Sequence, residues 1–447
     1  MDRVHLVSLG CPKNRVDSEV MVGKLRQGPF ELVDRPEAAD VIVVNTCSFI
    51  RPATEESIET VLEMAKLKQD GRARKLVVTG CMVQRFGKSL ETELPEVDHF
   101  LGTGEYHRIA DVLDRRAEGL QKTYIDTPLY IHDEFAPRVN SWAPHSAYLK
   151  LSEGCDHRCA FCIIPQLRGK MRSRAVASLV AEARRLAGEG VVELNLVSQD
   201  STAYGRDLAD GSDLGVLLRA LARVDGLHWI RLHYVYPLGV PESALRAIAD
   251  EERVVKYVDM PLQHASGRML RAMKRGVSRD GQVKILDRIR KAVPGVTLRT
   301  TFIVGFPGET DDDFQELCDF VETEKFDRVG VFTYFQEDGT PAALLPDQVD
   351  ERTKKARQKE LMRRQAVVSR AAHRRLVGTE ATVLVDGPSK ESPLVLVGRL
   401  ASQAPDVDGS VWLSETDETV RAGQFRRVRI TKATAHDLVG EVVESEA

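Results

Sequence analysis

The chain opens with three apolar, β-branched runs, RVHLVSLG, DVIVVNT and KLVVTG, and each ends in turn residues and a cysteine: Cys11, Cys47 and Cys81. The cysteines lie 36 and 34 residues apart, close to one strand–helix unit, and helix-compatible stretches at 17–27 and 53–68 fill the intervals. Strands that are apolar throughout and alternate with helices predict an open parallel sheet covered on both faces. Residues 127–146, TPLYIHDEFAPRVNSWAPHS, carry three prolines and little periodicity, and read as a linker. From Ala147 a longer alternation begins. Its strands are AYLKLSEG, VVELNLVSQD, IRLHYVYP, VVKYVDMPLQH, TLRTTFIVGFP and RVGVFTYF, with helices such as 175–189 and 279–292 between them. Six such units predict a partial (βα)6 barrel. A Lys- and Arg-rich helix is expected over 349–376, and five short β runs from Val377 onward predict a small antiparallel β-barrel. The fold class is therefore α/β, with an N-terminal domain over 1–126, a linker over 127–146, a core with its trailing helix over 147–376 and a β-barrel over 377–447.

Charge narrows the class of partner. The formal net charge of −4 argues against a protein that holds nucleic acid mainly by neutralising phosphates. Residues 377–447 carry seven Lys and Arg against twelve Asp and Glu, which should repel RNA and favour a basic partner. The default for the 349–376 helix is a solvated face, with RNA contact the minority reading. No apolar run approaches the roughly 20 residues of a membrane helix, and the first residues lack signal-peptide organisation. A cytoplasmic location is expected. Seven cysteines in such a chain point to clusters or metals rather than disulfides.

The densest chemistry is SEGCDHRCAFCIIP, where Cys155, Cys159 and Cys162 are spaced CxxxCxxC. Three soft thiolates on one loop suit an iron–sulfur cluster. A cubane has four irons, so three ligands leave one open for a small molecule to chelate. The competing reading is a zinc knuckle with His157 as fourth ligand. Cys11, Cys47 and Cys81 all sit at strand carboxyl ends, where ligands gather in parallel sheets, and are read as holding a second three-ligand cluster. Small buried thiols are the competing reading there. Polar residues at the other barrel strand ends, Ser198, Gln199, His233, Gln263, His264, Arg299 and Thr301, either line the pocket or cap a barrel layer. Thr310 is a helix N-cap, and Cys318 a core residue.

CxxxCxxC with Phe161 before the last cysteine resembles the radical S-adenosylmethionine (SAM) superfamily. The resemblance implies that SAM chelates the open iron, that an aromatic lies near its adenine, and that its reductive cleavage yields a hydrogen-abstracting radical. Phe161 and Gln199 are the expected SAM contacts. Over nearly the whole chain the domain order resembles the methylthiotransferases, a radical SAM family with an N-terminal cluster domain and a C-terminal TRAM barrel. This implies two 4Fe-4S clusters, an auxiliary one on Cys11, Cys47 and Cys81 and the radical SAM one on Cys155, Cys159 and Cys162. SLGCPKN around Cys11, VSQDSTAYG and GRLASQAPDVDG look like the branch that modifies the β-carbon of an aspartate in small-subunit ribosomal protein twelve; the alternative is methylthiolation of tRNA adenosine 37. An electron donor such as flavodoxin or ferredoxin, a monomeric state, and neither membrane nor strong nucleic-acid binding are expected.

Overall fold

The computed structural model describes residues 1–71, 73–114, 120–414, 416 and 419–443. Strands β1 (Asp2–Ser8), β2 (Phe30–Leu32), β3 (Val41–Thr46), β4 (Lys75–Gly80), β5 (His99–Leu101) and β6 (Thr123–Tyr124) form one parallel sheet in the order β2-β1-β3-β4-β5-β6. Alternation within the apolar runs sorts their side chains to two faces. Val41, Val43 and Val77 meet Val20, Met21 and Leu25 of the helix Pro12–Gln27. Ile42, Val44, Leu76 and Val78 meet Val61, Met64 and Ala65 of the helix Arg51–Asp70. The long strands are the three that hydrophobicity predicts. Strands β2, β5 and β6 have at most three residues, too few to show a period.

The second sheet is also wholly parallel. Its strands β7 (Ser146–Lys150), β10 (Glu193–Val197), β11 (Trp229–Leu232), β12 (Val254–Asp259), β13 (Thr297–Val304) and β14 (Arg328–Thr333) neighbour one another in sequence order, an open (βα)6 half barrel. A two-stranded ribbon, β8 (Ser152–Glu153) with β9 (Arg172–Ser173), closes the loop after β7. In β10, Leu194 and Leu196 pack under the helices, so the alternate residues Glu193 and Asn195 face the barrel interior.

The C-terminal strands β15 (Glu380–Pro388), β16 (Leu396–Leu400), β17 (Val411–Ser414), β18 (Phe425–Ala433) and β19 (Leu438–Val442) close into a barrel in the order β15-β16-β17-β19-β18. Four seams are antiparallel and the seam β17–β19 is parallel. An odd ring cannot alternate direction at every seam, so one parallel pair is unavoidable. The loop after β16 plugs the half barrel. Arg399 clamps Glu193 with two bonds of 3.0 and 2.7 Å, Arg231 donates to the Ala401 carbonyl at 2.6 Å, Tyr257 donates to Asp408 at 2.8 Å, and Tyr148 to Asp406 at 3.3 Å. Two of the acids expected to face a basic partner, Asp406 and Asp408, are thus engaged inside the molecule.

Between Tyr124 and Ser146 there is no helix or strand, yet the segment is packed. Arg138, fully enclosed, bonds Glu19 of the N-terminal domain and Glu182 of the half barrel. Burial alone would raise the Glu182 carboxyl, but Arg174 and Arg138 overcome it and hold it well below the usual range. Burial likewise opposes and Arg299 outweighs at Asp259, which is held at about 2. Carboxylates depressed in the folded state stabilise it above their unfolded values, and that stability is lost as pH falls through the folded values. Urea midpoints should therefore be flat from neutral pH down to about 5 and drop steeply from about 4 towards 2.

Candidate functional site

Strand register brings the N-terminal cysteines together. Ser8 pairs with Asn45 and Thr46 with Gly80, so Cys11, Cys47 and Cys81 leave the same edge of the sheet within a few residues of three adjacent strands. Cys11 caps the helix that Pro12 begins, and Cys81 opens the helix Cys81–Phe86. Gly10 makes the crowding possible: its φ is +86°, and a Cβ there would stand 2.6 Å from the Cys47 Cβ. Gly10→Ala should cost about 1–3 kcal/mol, read as a lower thermal midpoint of the metal-free protein.

The second set rides on the loop bridged by β8 and β9. Cys155 N–H donates to the Gly169 carbonyl at 3.1 Å and Cys162 N–H to the Cys159 carbonyl at 3.1 Å, while Ala160 is fixed to Met273 and Ala342. His157, the alternative zinc ligand, is engaged elsewhere: its Nε2 lies 2.6 Å from Asp200 and its ring stacks on Tyr236 at 3.7 Å. Among the described residues no three His, Cys, Asp or Glu side chains crowd as closely as the donors of one ion.

The two sets meet. Cys81 packs against Ile163 and Leu167, and Arg168, at the end of the short helix Ile164–Arg168, donates to Cys81 Sγ at 3.5 Å and to Asn14 Oδ1 at 3.0 Å. Arg168 also pairs with Asp17 and Glu153, and Lys150 pairs with the same two carboxylates. On the outer side, Arg85 pairs with Glu337 at 2.8 Å. At the other cysteine set, Arg275 donates to Cys159 Sγ at 3.2 Å. Burial raises Cys47 and Cys162 to about 12 and Cys155 to about 11. Thiols so enclosed ionise only when a cationic centre takes the sulfur, and two guanidiniums already stand beside the sulfurs to balance anionic ligands. This donor set fits iron–sulfur clusters.

Gln199 donates to Glu153 at 3.0 Å, and its Oε1 is buried with no partner. Gln263, held at φ +75°, has the same orphaned Oε1. Two enclosed acceptors at strand ends suit a ligand that carries ammonium and hydroxyl donors, as SAM does. Phe161 packs beside Ala160, Met269, Met273 and Phe306. Ser198 is spent on Ser201, and His264 accepts from the Ser266 N–H. His233 lies between Asn195 and Asp259. Arg299 departs from the expectation of a strand end. It is third in β13, pairs with Asp259 at 2.9 Å and Asp408 at 3.5 Å, and approaches Thr301, so it anchors the plug. Thr310 does cap its helix, with a complete capping box, and Cys318 is in the core. The sequence reading missed the seam charges Asp17, Lys150, Glu153 and Arg168. Their signal was a charged residue inside an otherwise apolar run, such as Lys150 in AYLKLSEG.

A half barrel with a three-cysteine loop after its first strand, a thiol-edged parallel sheet docked on it, and a closed β-barrel behind define a radical SAM enzyme of the methylthiotransferase class. The chain matches the models for "Uncharacterized protein family UPF0004" over residues 3–102, the Radical SAM superfamily over 149–321 and the TRAM domain over 377–443. It is 52% identical over 442 residues to the ribosomal protein uS12 methylthiotransferase RimO of Anaeromyxobacter sp. (strain K), covering 99% of this chain and 93% of that one. It is 48% identical to the protein of that name from Geobacter sulfurreducens, covering 99% of both. Among solved structures it resembles the radical SAM methyltransferase TsrM from Kitasatospora setae, with a TM-score of 0.54 at 16% identity over 77% of each chain, a likeness of fold. The chain belongs to the RimO family. No helix among the described residues is long and apolar enough to cross a membrane.

Proposed function

We propose that this protein transfers a methylthio group to the β-carbon of an aspartate in ribosomal protein uS12, using a 4Fe-4S cluster on Cys155, Cys159 and Cys162, a second on Cys11, Cys47 and Cys81, and SAM held beside Phe161 and Gln199. The relatives' name supports the substrate. The observation that carries the reading is the contact between the two cysteine sets, with Arg168 on the Cys81 sulfur only six residues after Cys162. When bound, SAM at a reduced cluster supplies hydrogen abstraction from an unactivated carbon, and the second cluster supplies a site for the sulfur.

The protein's own residues do the placing. Arg168 and Lys150, sharing Asp17 and Glu153, hold the N-terminal sheet edge over the barrel mouth, so both chemistries address one carbon. Gln199 and Gln263 present acceptors to the bound cosubstrate, and the packed strap at Arg138 fixes the angle between the domains. Electrons come from a flavodoxin or ferredoxin, and the enzyme works as a cytoplasmic monomer without strong nucleic-acid affinity.

The test is mass spectrometry of ribosomal protein and tRNA nucleosides from cells with and without this gene. Loss of the methylthio group from uS12 with tRNA unchanged is the expected result. Loss from tRNA adenosine 37 instead would overturn the substrate and leave the cluster chemistry standing.

A further inference from the structure

The seam between the N-terminal domain and the half barrel is rich in buried cations, and they are matched almost one for one. Arg168 and Lys150 share Asp17 and Glu153. Arg138 and Arg174 share Glu19 and Glu182. Arg85 takes Glu337. Lys13 is the surplus. It is only 9% exposed and pairs with no carboxylate among the described residues. Its ammonium lies 3.6 Å from the centroid of the Tyr234 ring, and the ionisable groups that act on it most strongly are Tyr234, Cys11 and Arg168.

An enclosed ammonium without a counter-ion is expensive. A π face returns only part of the cost. Tyr234, which supplies that face, follows β11 by two residues and is itself held at φ +59°, a conformation that a bulky residue keeps only where the surroundings impose it. Lys13 therefore stands two residues from Cys11 of one set, against a barrel strand end on the other side, with one position for an anion unfilled.

We infer that Lys13 binds the side-chain carboxylate of the substrate's target residue, fixing its β-carbon in the seam between the two cysteine sets. The inference rests on the proposed aspartate substrate and adds the group that recognises it. An aspartate has the anion that matches the surplus cation, whereas an asparagine or a nucleobase brings no charge and would leave Lys13 unpaired. The competing role for Lys13 is to balance the negative charge of thiolates at Cys11, which would be indifferent to the substrate's side chain.

The experiment compares binding of purified uS12, and of uS12 with its target aspartate replaced by asparagine, to the reconstituted wild-type protein and to Lys13→Met and Lys13→Arg, by fluorescence anisotropy with iron content measured in parallel. Wild type should prefer the aspartate form by about tenfold or more. Lys13→Met should bring that ratio close to one, and Lys13→Arg should retain part of the preference. A Lys13→Met protein that keeps the wild-type ratio, or that weakens both forms equally with or without iron loss, overturns the inference. So does a wild type that methylthiolates uS12 yet binds both forms alike, in which case the substrate reading survives. A wild type that neither binds nor modifies uS12 overturns both.

Discussion

Cys155→Ala should reduce SAM cleavage by the reconstituted, reduced protein by about 10³-fold or more, because three ligands that act as a unit fail together when one is removed. Cys47→Ala should behave differently. Its site is on the N-terminal sheet edge, a separate element with its own core, so uncoupled release of 5′-deoxyadenosine should persist while no methylthio product forms. Liquid chromatography of the nucleoside product alongside mass spectrometry of uS12 reads both quantities from one reaction. Equal loss of both activities in a folded Cys47→Ala protein would contradict the division of labour.

The second large effect is structural. Arg168→Met should destabilise the protein by about 3–5 kcal/mol, the cost of removing one partner from a buried ionic network. Arg168 is enclosed, and its removal leaves Asp17 and Glu153 with only Lys150 between them. It also removes the donor to Cys81 Sγ and to Asn14. Urea denaturation should show a lower midpoint, and limited proteolysis should separate the N-terminal domain from the half barrel. The double variant Arg168→Met with Asp17→Asn should be less destabilised than the sum of its parts, since each change removes a charge that the other leaves stranded.

The fit of sequence to structure differs by element. The runs DVIVVNT and KLVVTG are legible because a strand buried on both faces has no room for polar residues, and their placement side by side follows from the rule for parallel sheets. Strands β5 and β6 are not legible, since three residues and two residues carry no period. Arg299 was misplaced because its address at the plug depends on Asp408, more than a hundred residues away. GRLASQAPDVDG was read as a mark of substrate branch; within the structure its residues Arg399, Ala401, Asp406 and Asp408 hold the C-terminal barrel to the half barrel.

The order of domains, the parallel sheets, the two cysteine triplets and the soft-metal chemistry they invite were determined by the sequence alone, because hydrophobic period and ligand spacing are local properties of a chain. Which charges neutralise one another was decided only by the tertiary structure. Asp17 meets Lys150 and Arg168, Glu19 meets Arg138 and Glu193 meets Arg399 across separations of 119 to 206 residues. A buried charge is tolerable only beside its partner, so that pairing, and Lys13 as the cation left over from it, exist only once the domains have docked.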